Sequence, residues 1–166
     1  MKKKKNVIDE ISIKMMILKD SASIDQENEI IREMNALTDI NMVGRDGRSL
    51  LIHAACYNQI SIVQYLLNAN ADLNKQDDLG FTALHAAVEN HHYDMIKLLL
   101  EAGANVNAVD NFGNTPLQRA SHQKTEIIQL LLSGGADPSI KNNYGISAFD
   151  SFAAYPNIIE MFGSID

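Results

Sequence analysis

The sequence predicts an all-α solenoid with about three full helix-turn-helix repeats, each with a finger loop, between degenerate N-terminal and C-terminal caps. Two observations carry this prediction. Glycines recur at intervals of 33, 33 and 32 residues, at Gly47, Gly80, Gly113 and Gly145. Each glycine is followed two positions later by a serine or a threonine. A period near 33 residues is typical of stacked helical units, which usually work by presenting a surface and not by building a catalytic pocket.

The first helix of each unit is predicted to begin at the recurring hydroxyl residue, at Ser49, Thr82, Thr115 and Ser147. Serine and threonine are preferred N-caps because the side-chain oxygen accepts a hydrogen bond from a backbone N–H two or three residues on. Pro116 follows Thr115 and suits the first helical position. Alanines recur in this helix at Ala54, Ala87 and Ala120. They indicate a face pressed close to the neighbouring unit, because a larger side chain would force strain.

The second helix of each unit is predicted from apolar residues at positions i, i+1, i+4 and i+5. The three sets are Ile62, Val63, Leu66 and Leu67; Met95, Ile96, Leu99 and Leu100; and Ile127, Ile128, Leu131 and Leu132. Asn70, Gly103 or Gly135 follows each set, and these residue types tolerate the left-handed backbone that ends a helix. The spacing of the sets also indicates that the third unit lacks one residue between Ala120 and Ile127.

These segments resemble the ankyrin repeat family. TALH at residues 82–85 and TPL at residues 115–117 match the family's TPLH tetrapeptide, and GANVN at residues 103–107 matches its GADVN segment. The resemblance covers about residues 43–163. It implies two antiparallel helices per unit, an outward loop or hairpin finger, and a slightly curved stack of units.

The chain departs from the family pattern at the histidine of the tetrapeptide. Only His85 fills this position, and Ile52, Gln118 and Asp150 stand in the other units. The family's usual hydrogen-bond network is therefore predicted to be incomplete. The fourth unit is shortened near Pro156 and is predicted to be a degenerate C-terminal cap.

The chain is predicted to hold one repeat domain behind a short extension. Residues 1–22 form a basic extension with a possible helix, and residues 23–166 form the ankyrin repeat domain. Within that domain the N-terminal cap spans 23–45, the repeats span about 46–77, 78–110 and 111–142, and the C-terminal cap spans 143–166. The possible helix, over residues 7–19, has an apolar stripe and either packs against the cap or stays partly mobile. The stripe is Val7, Ile8, Ile11, Met15 and Leu18.

Charge is divided unevenly along the chain. Residues 1–20 carry six lysines and three acidic residues, so the total of −7 leaves −10 for residues 21–166. A repeat body with this charge is not predicted to bind nucleic acid, which needs a basic surface to replace counterions. The lysine run at residues 2–5 is interpreted as a solvated tail, with contact to an anionic membrane or nucleic acid as the alternative.

No apolar run is long enough to predict a secretory signal or a membrane span. The protein is therefore expected to be a cytoplasmic monomer. Delivery by a dedicated secretion system, known for some bacterial members of the resembling family, would leave no recognisable signal in the sequence.

No catalytic motif appears, and neither an enzyme nor a cofactor is predicted. Cys56 is the only cysteine, so the chain has no internal disulfide. It is interpreted as a small side chain on a helix and not as a nucleophile. Asp77, Asp110 and Asn142 occupy matching positions in the fingers, and they are predicted to bond to the backbone as turn formers.

A metal site is the alternative reading of the histidines. His91, His92 and Asp94 form an HHxD cluster, and His122 could supply a further ligand from the next repeat. The first two lie at the predicted turn between helices, where adjacent side chains rarely converge on one ion. Turn and surface roles are therefore favoured, and no metal is predicted.

The resemblance implies a binding surface on the concave side, made of the finger tips and the ends of the first helices. The finger positions are Arg45, Asp46 and Arg48; Asp78, Leu79 and Phe81; Asn111, Phe112 and Asn114; and Asn143, Tyr144 and Ile146. The helix-end positions are Cys56 and Tyr57, Glu89 and Asn90, and His122 and Gln123.

Leu79, Phe112 and Tyr144 occupy the same position in successive fingers and are predicted to form an apolar row, with Phe81 and Ile146 alongside. Aromatic anchors within a polar rim dominate interface energetics, so this row is the predicted partner surface. The alternative is that these side chains only pack the fingers together. The function predicted is a scaffold that binds another protein. The alternatives are a regulatory or stabilising subunit of an enzyme, or a secreted effector acting on host proteins.

Overall fold

The computed structural model describes residues 7–17, 24–120 and 124–163, which form ten helices and no strand. The helices are α1 Val7–Ile17, α2 Ile24–Asn35, α3 Leu50–Cys56, α4 Ile60–Asn68, α5 Ala83–Glu89, α6 Tyr93–Glu101, α7 Pro116–Arg119, α8 Thr125–Ser133, α9 Ala148–Ser151 and α10 Pro156–Gly163. None of these helices is long and apolar enough to cross a bilayer. The predicted all-α class is confirmed.

The helices lie in two layers. Helices α1, α3, α5, α7 and α9 contact one another in that order, and α2, α4, α6, α8 and α10 form the second layer. Helix α1 packs on α2, α3 on α4, α5 on α6 and α7 on α8, and neighbouring units contact each other through their first helices. This is the arrangement of a solenoid, in which the core runs through the whole stack.

The predicted starts of the first helices are confirmed. Ser49, Thr82, Thr115 and Ser147 each accept a hydrogen bond from the backbone N–H three residues on. The alanines Ala54, Ala87 and Ala120 are buried. The apolar residues of the second helices form the rest of the core, with Leu67 and Leu100 only partly buried.

The predicted left-handed residues at the ends of the second helices are confirmed. Asn70, Gly103 and Gly135 have φ values of 57°, 89° and 88°. A Cβ atom added at Gly103 would meet nothing within 4 Å, so a side chain there would cost backbone strain and no clash. Asn58 and His91 also have positive φ, and they make the turn between the two helices of their units.

The loops after the second helices are joined from unit to unit by asparagine side chains. The Oδ1 atom of Asn41 accepts a hydrogen bond from the N–H of Asp72 at 2.7 Å. Equivalent bonds join Asn74 to the N–H of Asn105 and Asn107 to the N–H of Asp137, both at 2.8 Å. The asparagines therefore hold neighbouring units in register at the base of each finger.

Helix α1 packs as the first helix of an additional hairpin with α2. It contacts α2 and α3, and it buries Ile8, Ile11 and Met15 in the common core. Val7 is half exposed, and Leu18 lies outside the described residues. Of the two alternatives for this helix, the described residues adopt the one that packs against the cap.

The third unit has the shortest first helix of the three full units. Helix α7 has four residues, whereas α3 and α5 have seven each. It ends because Ala120 has an extended backbone, with ψ of 139°. The missing residue of this unit falls in the connection that follows, part of which, residues 121–123, lies outside the described residues.

Candidate partner-binding surface

The three fingers after the first are tight turns, and each is held by one acceptor side chain. The Oδ1 atom of Asp77 accepts hydrogen bonds from the N–H groups of Leu79 and Phe81, both at 2.9 Å. Asp110 and Asn142 make the same pair of bonds in the next two fingers. The prediction that these residues bond to the backbone is confirmed.

Successive fingers are joined by backbone hydrogen bonds. The N–H of Asn111 donates to the carbonyl of Leu79, and the N–H of Asn143 donates to the carbonyl of Phe112, both at 3.0 Å. Gly80 permits this approach, because a Cβ atom there would lie 2.6 Å from the N atom of Asn111. The fingers therefore form one connected surface.

The side chains of Asp78, Asn111 and Asn143 contribute differently to these connections. Asn111 donates from Nδ2 to the carbonyl of Asp78 at 2.8 Å, and Asn143 donates to the carbonyl of Asn111 at 2.9 Å. Asn114 accepts from the Nδ2 atom of Asn142 at 2.8 Å. Three of the predicted contact residues thus already have a structural hydrogen bond, and the side chain of Asp78 is exposed.

Leu79, Phe112 and Tyr144, here called the finger row, lie on consecutive fingers and are 51%, 46% and 71% exposed. Ile146 is exposed beside the last of them. Phe81 does not share this exposure. It is buried, its ring stacks on His85 with centroids 5.4 Å apart, and the guanidinium of Arg119 lies 5.0 Å above it. Phe81 therefore supports the surface from below.

Arg119 is a residue that the sequence analysis missed. Its Nε atom lies 2.8 Å from Oδ2 of Asp110, and its Nη1 atom lies 3.5 Å from Oε1 of Glu89. Its guanidinium also lies over the rings of Phe81 and Phe112. The signal in the sequence was a long basic side chain at the position that Ala86 fills in the second unit.

The first interface between fingers has a comparable ion pair. The Nε atom of Arg48 donates to Oδ2 of Asp77 at 3.1 Å and lies 3.5 Å from Oδ2 of Asp46. The side chain of Asp77 is only 2% exposed, whereas that of Asp46 is 54% exposed. Arg45 pairs with Asp9 of α1 at 2.8 Å. Arg48 is therefore held in an ion pair within the fingers, whereas the exposed carboxylate of Asp46 is accessible to a partner.

In the second and third units, the residue at the position of the family histidine makes more hydrogen bonds than predicted. The Nδ1 atom of His85 accepts from the N–H of Thr82 at 3.2 Å, and Nε2 lies 3.2 Å from the carbonyl of Asn114. Nδ1 is therefore the acceptor and Nε2–H the donor. Burial lowers the pKa of His85, which keeps the ring uncharged at neutral pH.

Gln118 makes the same two bonds in the third unit. Its Oε1 atom accepts from the N–H of Thr115 at 2.9 Å, and its Nε2 atom donates to the carbonyl of Ile146 at 2.7 Å. The prediction of an incomplete network is therefore wrong for this unit, because an amide offers the same acceptor and donor as a neutral imidazole. Asp150 makes only the bond to its N-cap.

The helix-end residues are only partly available. Tyr57 is half buried beside the ring of His53, and Asn90 donates from Nδ2 to the carbonyl of Ala86 at 2.8 Å. Glu89 is exposed and paired with Arg119. The predicted contacts at His122 and Gln123 lie outside the described residues.

The histidine cluster is spread over a turn. His91 occupies the left-handed position, and the Nε2 atom of His92 lies 3.0 Å from the carbonyl of Cys56. Within residues 7–17, 24–120 and 124–163, no three histidine, cysteine or acidic side chains are grouped in a way that could hold a metal ion.

Comparisons with known proteins address the repeat region. A family model described as ankyrin repeats (3 copies) matches residues 18–110 and 51–142. A search of curated proteins found no match to the chain. The matched residues include the fingers that carry Leu79 and Phe112.

Proposed function

Because the chain belongs to the ankyrin repeat family, we propose that it is a scaffold that binds another protein through the concave finger surface, with no catalysis of its own. Ankyrin repeats are generally protein–protein interaction modules. The observation that carries the proposal is the finger row, whose three apolar side chains are about half exposed or more on consecutive fingers.

The finger row has the properties of an interface core. Large apolar side chains in a row supply contact area, and the surrounding polar residues supply a rim that excludes water. The backbone bonds between fingers fix the main chain at these positions before a partner arrives. Binding then costs little loop ordering, which favours affinity.

The charge around the finger row favours a partner with basic and apolar features. Asp46, Asp78 and Glu89 lie exposed on the fingers and helix ends of the same side. The arginines nearby, Arg48 and Arg119, are paired with buried carboxylates of the fingers. The open charge of this rim is therefore negative, and it would speed the encounter with a basic surface.

The test is a pull-down from native lysate with the double variant Phe112→Ala/Tyr144→Ala. Tyr93→Ala is the matched control, because Tyr93 is 45% exposed at the start of α6 in the other layer. We expect the parent and the control to retain one stoichiometric partner and the double variant to lose it. Retention by the double variant would contradict the assignment of the surface.

The same experiment separates the other functional classes. Recovery of an enzyme as the partner would make the chain a regulatory or stabilising subunit, and recovery of a host protein would make it an effector. Turnover of a substrate by the isolated chain would contradict a purely binding role. The proposal also places the protein in the cytoplasm as a monomer, which cell fractionation and light scattering would test.

A further inference from the structure

A groove of about 320 Å³ separates α1 from the first unit at the end of the finger surface. Its lining includes Ser12, Ile13 and Met16 from α1, and Asp46, His53 and Tyr57 from the first unit. Asp46 is also one of the exposed finger residues. A partner that lies along the fingers would therefore reach this groove.

Two residues in the walls of the groove each have a polar atom without a hydrogen bond. Within the described part of the chain, Ser12 Oγ and His53 Nδ1 are buried and have no partner. Ser12 is only 7% exposed. Leaving a buried polar atom unpaired costs free energy, so two such atoms in one groove need an explanation. A ligand that donates hydrogen bonds to both would supply it.

The groove favours a donor that is positively charged. Burial lowers the pKa of His53, so its ring is uncharged at neutral pH and can present Nδ1 as an acceptor. Asp9 is neutralised by Arg45, but Asp46 and Asp77 share the single charge of Arg48. The carboxylate of Asp46 is 54% exposed and is left with acceptor capacity.

The walls of the groove suit a long aliphatic stem. Ile13 and Met16 are 52% and 48% exposed on α1, so both offer apolar surface to a neighbouring chain. The ring of Tyr57 lies on the opposite wall, where it is roughly parallel to the ring of His53. Long basic side chains bury their stems on such apolar surface while their charged ends reach polar groups.

From this arrangement we infer that the groove binds an arginine side chain of the partner protein. Arginine combines an aliphatic stem with five N–H donors in a plane, which can serve Ser12, His53 and Asp46 together and can stack on an aromatic ring. Lysine offers a compact charge without that planar fork. The inference rests on the proposed function only in taking the occupant to be a protein, and it adds the chemistry of the contact.

The direct test uses the isolated chain, labelled with nitrogen-15, and the blocked peptide Gly-Gly-Arg-Gly-Gly. Citrulline in place of arginine is the matched probe, because it has a similar shape without the charge. We expect saturable shifts of the amide signals of Ser12, Asp46 and His53 with the arginine peptide in the millimolar range. The citrulline peptide should bind about tenfold more weakly, as expected for the loss of a charged hydrogen bond. Equal binding of both peptides, or no saturable shift, would overturn the inference.

Ser12→Ala tests the groove without weakening the fold. The Ser12 hydroxyl has no partner in the described chain, so its removal should leave the unfolding midpoint unchanged or raised. Affinity for the arginine peptide should fall about tenfold. Ser61→Ala on the exposed face of α4 is the control. If Ser12 is only structural, the affinity will equal that of the parent, and the inference fails.

Asp46→Asn provides a second variant. An asparagine keeps the Oδ1 acceptor for the N–H of Arg48 and removes the charge. We expect severalfold weaker binding of the arginine peptide. If the partner of the pull-down is lost with Phe112→Ala/Tyr144→Ala but retained with both groove variants, the groove inference fails and the proposed function stands.

Discussion

The second and third units form the same pair of hydrogen bonds with different side chains. His85 bonds to its own N-cap and to the carbonyl of Asn114, and Gln118 bonds to its N-cap and to the carbonyl of Ile146. The stack therefore requires an acceptor and a donor at this position and not an imidazole. The two units differ in burial, because His85 is fully buried whereas Gln118 is partly exposed in a four-residue helix.

The largest expected effect is the truncation of His85. His85→Ala would leave a cavity and two unpaired backbone groups, and we expect a loss of about 3 kcal/mol in the free energy of unfolding. Gln118→Ala removes the same bonds from a more open site and should cost about 1 kcal/mol. Urea denaturation measures both. Equal losses would contradict the difference between the two units.

Arg119 links these two units, and its removal should have the next largest effect. Arg119→Ala leaves the carboxylate of Asp110, whose side chain is 0% exposed, without its cation. We expect a loss of about 2 kcal/mol, which is less than for a fully buried pair because Arg119 is itself 25% exposed.

The control for Arg119 is Lys97→Ala, which removes an exposed i,i+4 pair with Glu101. It should change the free energy of unfolding by less than about 0.5 kcal/mol. A similar loss for Lys97→Ala and Arg119→Ala would show that the Arg119 contacts do not hold the two units together.

The second and third units also end their second helices with glycine, where the first unit has Asn70. Gly103→Val should cost roughly 1–2 kcal/mol, because valine is strained at φ of 89° and meets no atom that would add a clash. Gly103→Asn copies the first unit and should cost less. Thermal melting compares the three proteins, and a parent-like midpoint for Gly103→Val would refute the strain argument.

The smallest effect is the pH dependence that distinguishes histidine from glutamine. The folded pKa of His85 is lowered from 6.5 by burial, so the unfolded chain binds more protons below that pH. The stability that this ring contributes is therefore complete above about pH 6.5 and is lost as the pH falls from that value to the lower pKa of the folded state. His85→Gln should keep both hydrogen bonds and lose less stability on acidification.

Urea midpoints at a series of pH values test this prediction. The pKa of His53 is also lowered by burial, and that residue is present in both proteins, so the difference between the two curves isolates His85. Parallel curves for the parent and His85→Gln would contradict the titration of the buried ring. A large loss for His85→Gln at neutral pH would contradict the equivalence of the two side chains.

The features predicted from the sequence are those in which a side chain acts on nearby backbone. The N-cap at Thr82, the left-handed Gly103 and the turn former Asp77 all depend on atoms a few residues away. Local chemistry therefore identifies them. The same holds for the apolar positions of the second helices, whose spacing alone places them on one face.

The features that the sequence did not predict depend on contacts between units. Gln118 reaches a carbonyl 28 residues away, and Arg119 in the third unit covers the ring of Phe81 in the second. The groove beside α1 likewise needs Ser12 and His53 to meet across two elements. A local sequence pattern does not reveal these contacts. The repeat period aligns equivalent positions in successive units, but it does not show which residue each side chain contacts.

The hydrogen bonds from finger to finger use main-chain atoms and the side chains of Asn111, Asn142 and Asn143. None of these side chains belongs to the finger row, so the support of the surface is separate from its chemistry. Mutations at Leu79, Phe112 and Tyr144 change the side chains that the finger tips present to a partner. They leave the hydrogen bonds between the fingers intact. A library randomised at these three positions would therefore sample new specificities on an unchanged backbone.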